Sequence, residues 1–103
     1  MILVNTDFIT GKNLQTLTLV RGSVVRSKHI GRDIAAGFKS IIGGELKGYT
    51  EMLNEAKDVA LERLTKDAEA NLADGVINVR LETAAVTDGA VEVIAYGTAV
   101  KFV

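Results

Sequence analysis

The stretch GRDIAAGFKSIIGGELKGYT, from Gly31 to Thr50, joins a helical apolar pattern to five glycines. A glycine inside a helix costs about 1 kcal/mol relative to alanine, so Gly37 marks an expected close backbone approach. Gly43, Gly44 and Gly48 break one helix before the next begins. Upstream of the break, from Arg32 to Ile42, the residues Ile34, Ala35, Phe38, Ile41 and Ile42 follow the i, i+3, i+4, i+7 spacing of an amphipathic helix. Asp33 in its first turn suits the positive end of the helix dipole, and Gly43-Gly44 permits the left-handed cap. Downstream, a second helix is expected from Tyr49 to Leu72, roughly 36 Å long at 1.5 Å per residue. Its stripe is Tyr49, Met52, Leu53, Ala56, Val59, Ala60, Leu64, Ala68 and Leu72, with Glu62 and Lys66 as an i,i+4 pair on the wet side. Asp74-Gly75 is expected to end it.

Strands flank this helical centre. Ile2 to Asn5 reads as a short edge strand or a pairing arm, and Thr10-Gly11-Lys12-Asn13 as a turn. From Gln15 to Ser27 a long strand sets Leu17 and Leu19 against Thr16 and Thr18, until the phase slips at Val20-Arg21-Gly22. Glycine at such a slip predicts a bulge or bend. After the long helix, Ile77, Val79 and Leu81 alternate with Asn78, Arg80 and Glu82, the pattern of a strand with one buried face. Asp88-Gly89 predicts a two-residue hairpin turn. The last strand, Val91 to Val103, is apolar on both faces, with Val93, Ala95 and Ala99 on one and Ile94, Tyr96, Val100 and Phe102 on the other. With the helix on one face, the second calls for another subunit.

A chain of 103 residues is a single domain near the small end for independent stability. With 48% hydrophobic residues it carries more apolar surface than a small monomer hides easily, which points to self-association. Cysteine is absent, so disulfides, thiolate metal sites and a cysteine nucleophile are excluded, in keeping with a reducing cytoplasm. MILVNTDF lacks the basic and apolar regions of a signal peptide, and no run nears the roughly 20 apolar residues of a membrane span. Net charge is −1, against general nucleic-acid affinity. Charge is uneven, however: Lys12, Arg21, Arg26, Lys28 and Arg32 stand between Asp7 and Asp33 with no acid among them.

The run GRDIAAGFKSIIGG, the helix near GYTEMLNEAKDVALERL, the strand after Gly75 and the closing AYGTAVK together resemble the YbjQ-like family, once labelled for heavy-metal binding. The similarity covers nearly the whole chain. It implies an α+β, β-α-β-β subunit like that of dodecin, a three-stranded antiparallel sheet on a long helix, assembled as a pentameric ring. No established activity comes with it. Family members commonly carry acids in the strand after the long helix, where this chain has Arg80, so a site built on those acids is not expected here.

Few constellations carry chemistry. His29 is the sole histidine; Asp33 and Glu45 are the nearest further metal ligands, and Lys28, Arg26 and Arg32 oppose a cation. Gly43 and Gly48 have the outer spacing of a phosphate loop, yet Tyr49 occupies the position of its lysine and a helix precedes it, so it is not one. The N–H groups of Gly44 to Gly48, with Lys47, would suit an anion at the start of the long helix. Arg21, Arg26, Lys28 and Arg32, multiplied by symmetry, would form a basic ring, although no aromatics interleave for base stacking. Neither a nucleophile elbow nor HExxH is present, and Glu51, Glu55, Asp58 and Glu62 read as solvating charge. The expectation is a non-enzymatic, cytoplasmic, ring-forming binding or scaffold protein without a cofactor. Its ligand residues would be Arg32, Asp33, Lys47 and Tyr49, and a small anion would sit between subunits. The alternative is metal binding through His29 and carboxylates.

Overall fold

The computed structural model describes residues 1–27, 41–42 and 45–103. Among the described residues, six strands and one helix follow in the order β1 (Ile2–Leu3), β2 (Leu14–Ser27), β3 (Ile41–Ile42), β4 (Glu45–Leu46), α1 (Lys47–Ala70), β5 (Gly75–Thr87) and β6 (Ala90–Phe102). The main sheet has the order β1-β5-β6-β2, and β3 pairs with β4 separately. The α+β class is as expected, but the sheet is four-stranded and mixed where three antiparallel strands were expected. The difference is the N-terminal run: Ile2 and Leu3 pair parallel with Gly75 and Val76. Residues 32–40 of the expected first helix lie outside the described residues. Its end is extended, with Ile41 opposite Leu46 and Ile42 opposite Glu45.

Helix α1 packs through Ala56, Ala60, Leu64 and Ala68, a row at strict i+4 spacing that is fully buried against Val20, Val24, Val76, Val93, Ala95 and Ala99. Three small residues in that row let the helix approach the sheet closely. Glu62 and Lys66 form the expected outward pair at 3.5 Å. The helix ends before Asp74-Gly75. Leu72 takes the left-handed conformation (φ 60°), Ala73 N–H donates to Ala68 O and Leu72 N–H to Glu69 O. This is a Schellman cap with leucine where glycine is usual, and it throws Leu72 off the buried stripe to 74% exposure.

Two further expectations change. Gly22 keeps its register opposite Ala95, and the irregularity in β2 falls between Thr16 and Thr18. In β5 a bulge lies between Ile77 and Arg80 with Asn78 at φ 53°. One extra residue in left-handed conformation breaks the period of two, so Ile77 and Val79 join opposite clusters rather than one face. The second cluster, Ile9, Ile77 and Val100 with Val4, Leu14 and Phe102, lies across the sheet from the helix. The chain's own N-terminal segment thus covers Val100 and Phe102, which the sequence assigned to another subunit. Gly11 (φ 76°) and Gly89 (φ 74°) make the expected turns.

Asp74 ties the helix exit to β6. Its N–H donates to Val100 O at 2.8 Å, its Oδ2 accepts from Phe102 N–H at 2.8 Å, and Lys101 Nζ stands 3.5 Å from Oδ1. The Phe102 hydrogen bond holds this carboxyl below its ordinary pKa; desolvation works against it, and Lys101 and Lys12 add to the lowering. A depressed folded-state value stabilises above the unfolded pKa of about 3.9 and is lost as pH falls through the folded value. Asp74→Asn is therefore expected to lower the urea midpoint at neutral pH and to differ little from the parent at strongly acid pH.

Candidate functional site

The face of the sheet away from α1 carries a row of polar side chains. Register sets Arg21 opposite Tyr96 and Tyr96 opposite Arg80, one row across β2, β6 and β5. The neighbouring row is Ser23, Ile94 and Glu82. Tyr96 is half-buried and its hydroxyl donates to Glu82 Oε1 at 2.8 Å. That hydrogen bond raises the phenol pKa above its ordinary value; desolvation and the Glu82 charge add to the rise, while Arg80 opposes it. Arg80 also donates through Nη1 to Asn5 O at 3.1 Å, pinning the N-terminal segment to β5. Register thus sets an arginine on either side of the phenol, with the Glu82 carboxylate accepting the phenol's own hydrogen bond. The positions are far apart in sequence, and only strand register reveals the row.

The sequence-derived candidates divide. His29, Arg32 and Asp33 lie outside the described residues, as do Lys28 and the Gly43-Gly44 pair. Lys47 opens α1, and Tyr49 sits half-buried in its first turn. Arg21 and Arg26 do not share a surface. Arg21 is exposed in the outer row; Arg26 pairs with Val91 on the helix side and is half-buried, its Nε buried without a hydrogen-bond partner among the described residues. Alternation along β2 separates them, so the basic run is not one continuous strip. Glu51, Glu55, Asp58 and Glu62 are exposed on α1, as expected of solvating charge. Among the described residues, no three His, Cys, Asp or Glu side chains group to hold a metal ion. No described helix is long and apolar enough to cross a membrane.

Comparison with known proteins agrees with this architecture. A solved structure of a DUF74-family protein of unknown function from Pediococcus pentosaceus superposes with a TM-score of 0.74 over 100% of this chain and 98% of its own, at 18% identity, a likeness of fold alone. A UPF0145 protein of Clostridium novyi is 54% identical over 98% of each chain. One from Alkaliphilus metalliredigens is 53% identical over the full length of both. The family model described as "Putative heavy-metal-binding" matches residues 1–103. With a full-length model and relatives at this identity, the chain belongs to the YbjQ family.

Proposed function

We propose that this chain is the subunit of a homo-oligomeric ring, a pentamer by family resemblance, acting in the cytoplasm as a non-enzymatic binding or scaffold module for a small anion held where subunits meet. The observation that supports it is the shape. The chain measures 56 × 25 × 16 Å with a Cα radius of gyration of 17.0 Å, against about 13 Å for a compact domain of 100 residues. The excess goes with a sheet that its helix covers only in part: α1 packs mainly on β2 and β6, and every residue from Arg80 to Asp88 is exposed. Leu81, Val86, Leu19 and Val25 are 42%, 57%, 68% and 54% exposed. Apolar side chains left exposed on both β2 and β5 are what a partner subunit would cover.

Arg21 and Arg80 in the sheet row would supply guanidinium donors for an anion, and the start of α1, where Lys47 and Tyr49 stand, is a separate place for one. Native mass spectrometry of the purified protein tests the reading, with a pentamer or a multiple of it expected together with retained anionic mass. A monomer at micromolar concentration would overturn it. Elemental analysis of the same sample distinguishes it from metal binding through His29 and carboxylates, which predicts stoichiometric metal that His29→Ala removes.

A further inference from the structure

We propose that β5 docks edge to edge with β5 of a second copy, antiparallel across a two-fold axis at Thr83. This rests on the reading of the chain as the subunit of a five-membered ring and names a surface that would join two such rings, since a two-fold contact pairs copies and does not close a ring of five. The two edges of the sheet differ. Along β2, Arg21 N–H donates to Asp67 Oδ2 at 3.0 Å and Arg63 Nη1 donates to Ser23 O at 2.7 Å. Asp67 and Arg63 stand one turn apart on α1, so the helix lays a donor and an acceptor along that edge and blunts it against strand addition. Along β5, the N-terminal segment covers the edge only as far as Val79, through Val4 N–H to Val76 O, Asn78 N–H to Thr6 O and Val79 N–H to Val4 O. Beyond Val79, no strand among the described residues pairs with it.

The direction of the free groups follows from alternation. Arg21 N–H points out of the sheet, so Arg21 and Tyr96 are a non-hydrogen-bonded pair, and the main-chain groups of Tyr96 point toward β5. Arg80, opposite Tyr96, therefore bonds inward, and Leu81, Thr83 and Ala85 present their N–H and C=O outward. From Thr83 to Thr87 there is no charge, proline or glycine to discourage pairing.

This edge complements itself. Centred on Thr83, Leu81 meets Ala85 of the second copy, Thr83 meets Thr83, and every outward group finds a partner. Glu82 then faces Ala84; the two Glu82 carboxylates are diagonal neighbours at roughly 7–8 Å, each held by its own Tyr96 hydroxyl. Other registers are worse. Centring on Glu82 sets two carboxylates directly opposite and drives Ala85 against the segment that holds Val79. Centring on Ala84 carries Leu81 to Thr87, past the irregularity between Ala85 and Thr87.

Because the chain has no cysteine, Thr83→Cys gives a direct readout. Hydrogen-bonded pairs hold Cα atoms about 5.5 Å apart, within disulfide reach. Mild oxidation is expected to link Thr83→Cys into disulfide dimers far faster than Gln15→Cys, an exposed site on β2. The edge contact predicts a parent of ten subunits, and native mass spectrometry of Thr83→Pro, which removes an outward N–H and spares the β5–β6 ladder, and of Thr83→Lys, which opposes two ammonium groups on the axis, is expected to show about half that count, a single ring of five. If both variants keep the parent's count, or Thr83→Cys links no faster than Gln15→Cys, the edge proposal falls and the ring stands. A parent dimer that Thr83→Lys turns into monomer upholds the edge and sinks the ring. A monomeric parent overturns both.

Discussion

Gly22→Ala is expected to destabilise the fold by about 3 kcal/mol, at or beyond the upper end of overpacking substitutions. At Gly22 the strand β2 passes under α1, and a methyl group there would lie 2.5 Å from Ala60 O and 2.6 Å from Arg63 C, and against Leu64 N. All three are main-chain atoms inside a hydrogen-bonded helix, so no rotamer change makes room. The helix must rise instead. Rising would strain the bonds that hold it to the β2 edge on either side of Gly22, Asp67 with Arg21 N–H and Arg63 with Ser23 O. The strand cannot sink, because Gly22 pairs in register with Ala95 on β6. Urea unfolding at one fixed protomer concentration, necessary where assembly couples to stability, would measure the loss. A loss below about 1 kcal/mol, the scale of a left-handed residue's backbone penalty, would mean that the helix does not rest on Gly22. Gly11→Ala supplies that scale, since Gly11 has φ +76° and open space around it.

Gly22 also shows where sequence reasoning succeeds and where it stops. A glycine within an alternating strand signals a bulge or a close backbone approach, and the pattern alone does not separate the two. The bulge it suggested belongs to Thr16–Thr18, and the close approach is what Gly22 provides. The long helix was legible because its apolar period persists over many turns. Its end was not, because Leu72 takes a conformation that glycine usually signals. Asn78 hides the bulge in β5 in the same way: apolar and polar residues alternate through it unbroken, while the backbone inserts an extra residue. Ile41 and Ile42 fit helical spacing, yet so short an apolar run is equally consistent with a strand. Lys47 and Tyr49 stand at the helix start, where the sequence pattern puts them, and not in the sheet row. The Arg21, Tyr96 and Arg80 row could not be read from the pattern, since it exists only once three strands are in register.

Leu64→Ala is expected to lower stability by about 4 kcal/mol, in the upper half of the range for buried leucine truncations. Leu64 is the one large side chain in the fully buried row Ala56, Ala60, Leu64, Ala68, and it lies in one cluster with Val20, Val76 and Val93. The cost of such a truncation depends on how far the surroundings collapse into the space left behind. Here collapse is blocked, because α1 already touches β2 main chain to main chain at Gly22, level with Leu64 itself. The helix cannot move closer to fill the void, and Ala60 and Ala68 on either side have no side-chain length to lean in. Urea denaturation should show an earlier midpoint with an unchanged slope, since the same surface is exposed on unfolding. A loss near 2 kcal/mol, the value for a site that collapses well, would show that helix and strand can slide together. The rigid contact invoked for Gly22 would then be wrong as well, so the two substitutions test a single piece of packing from opposite sides.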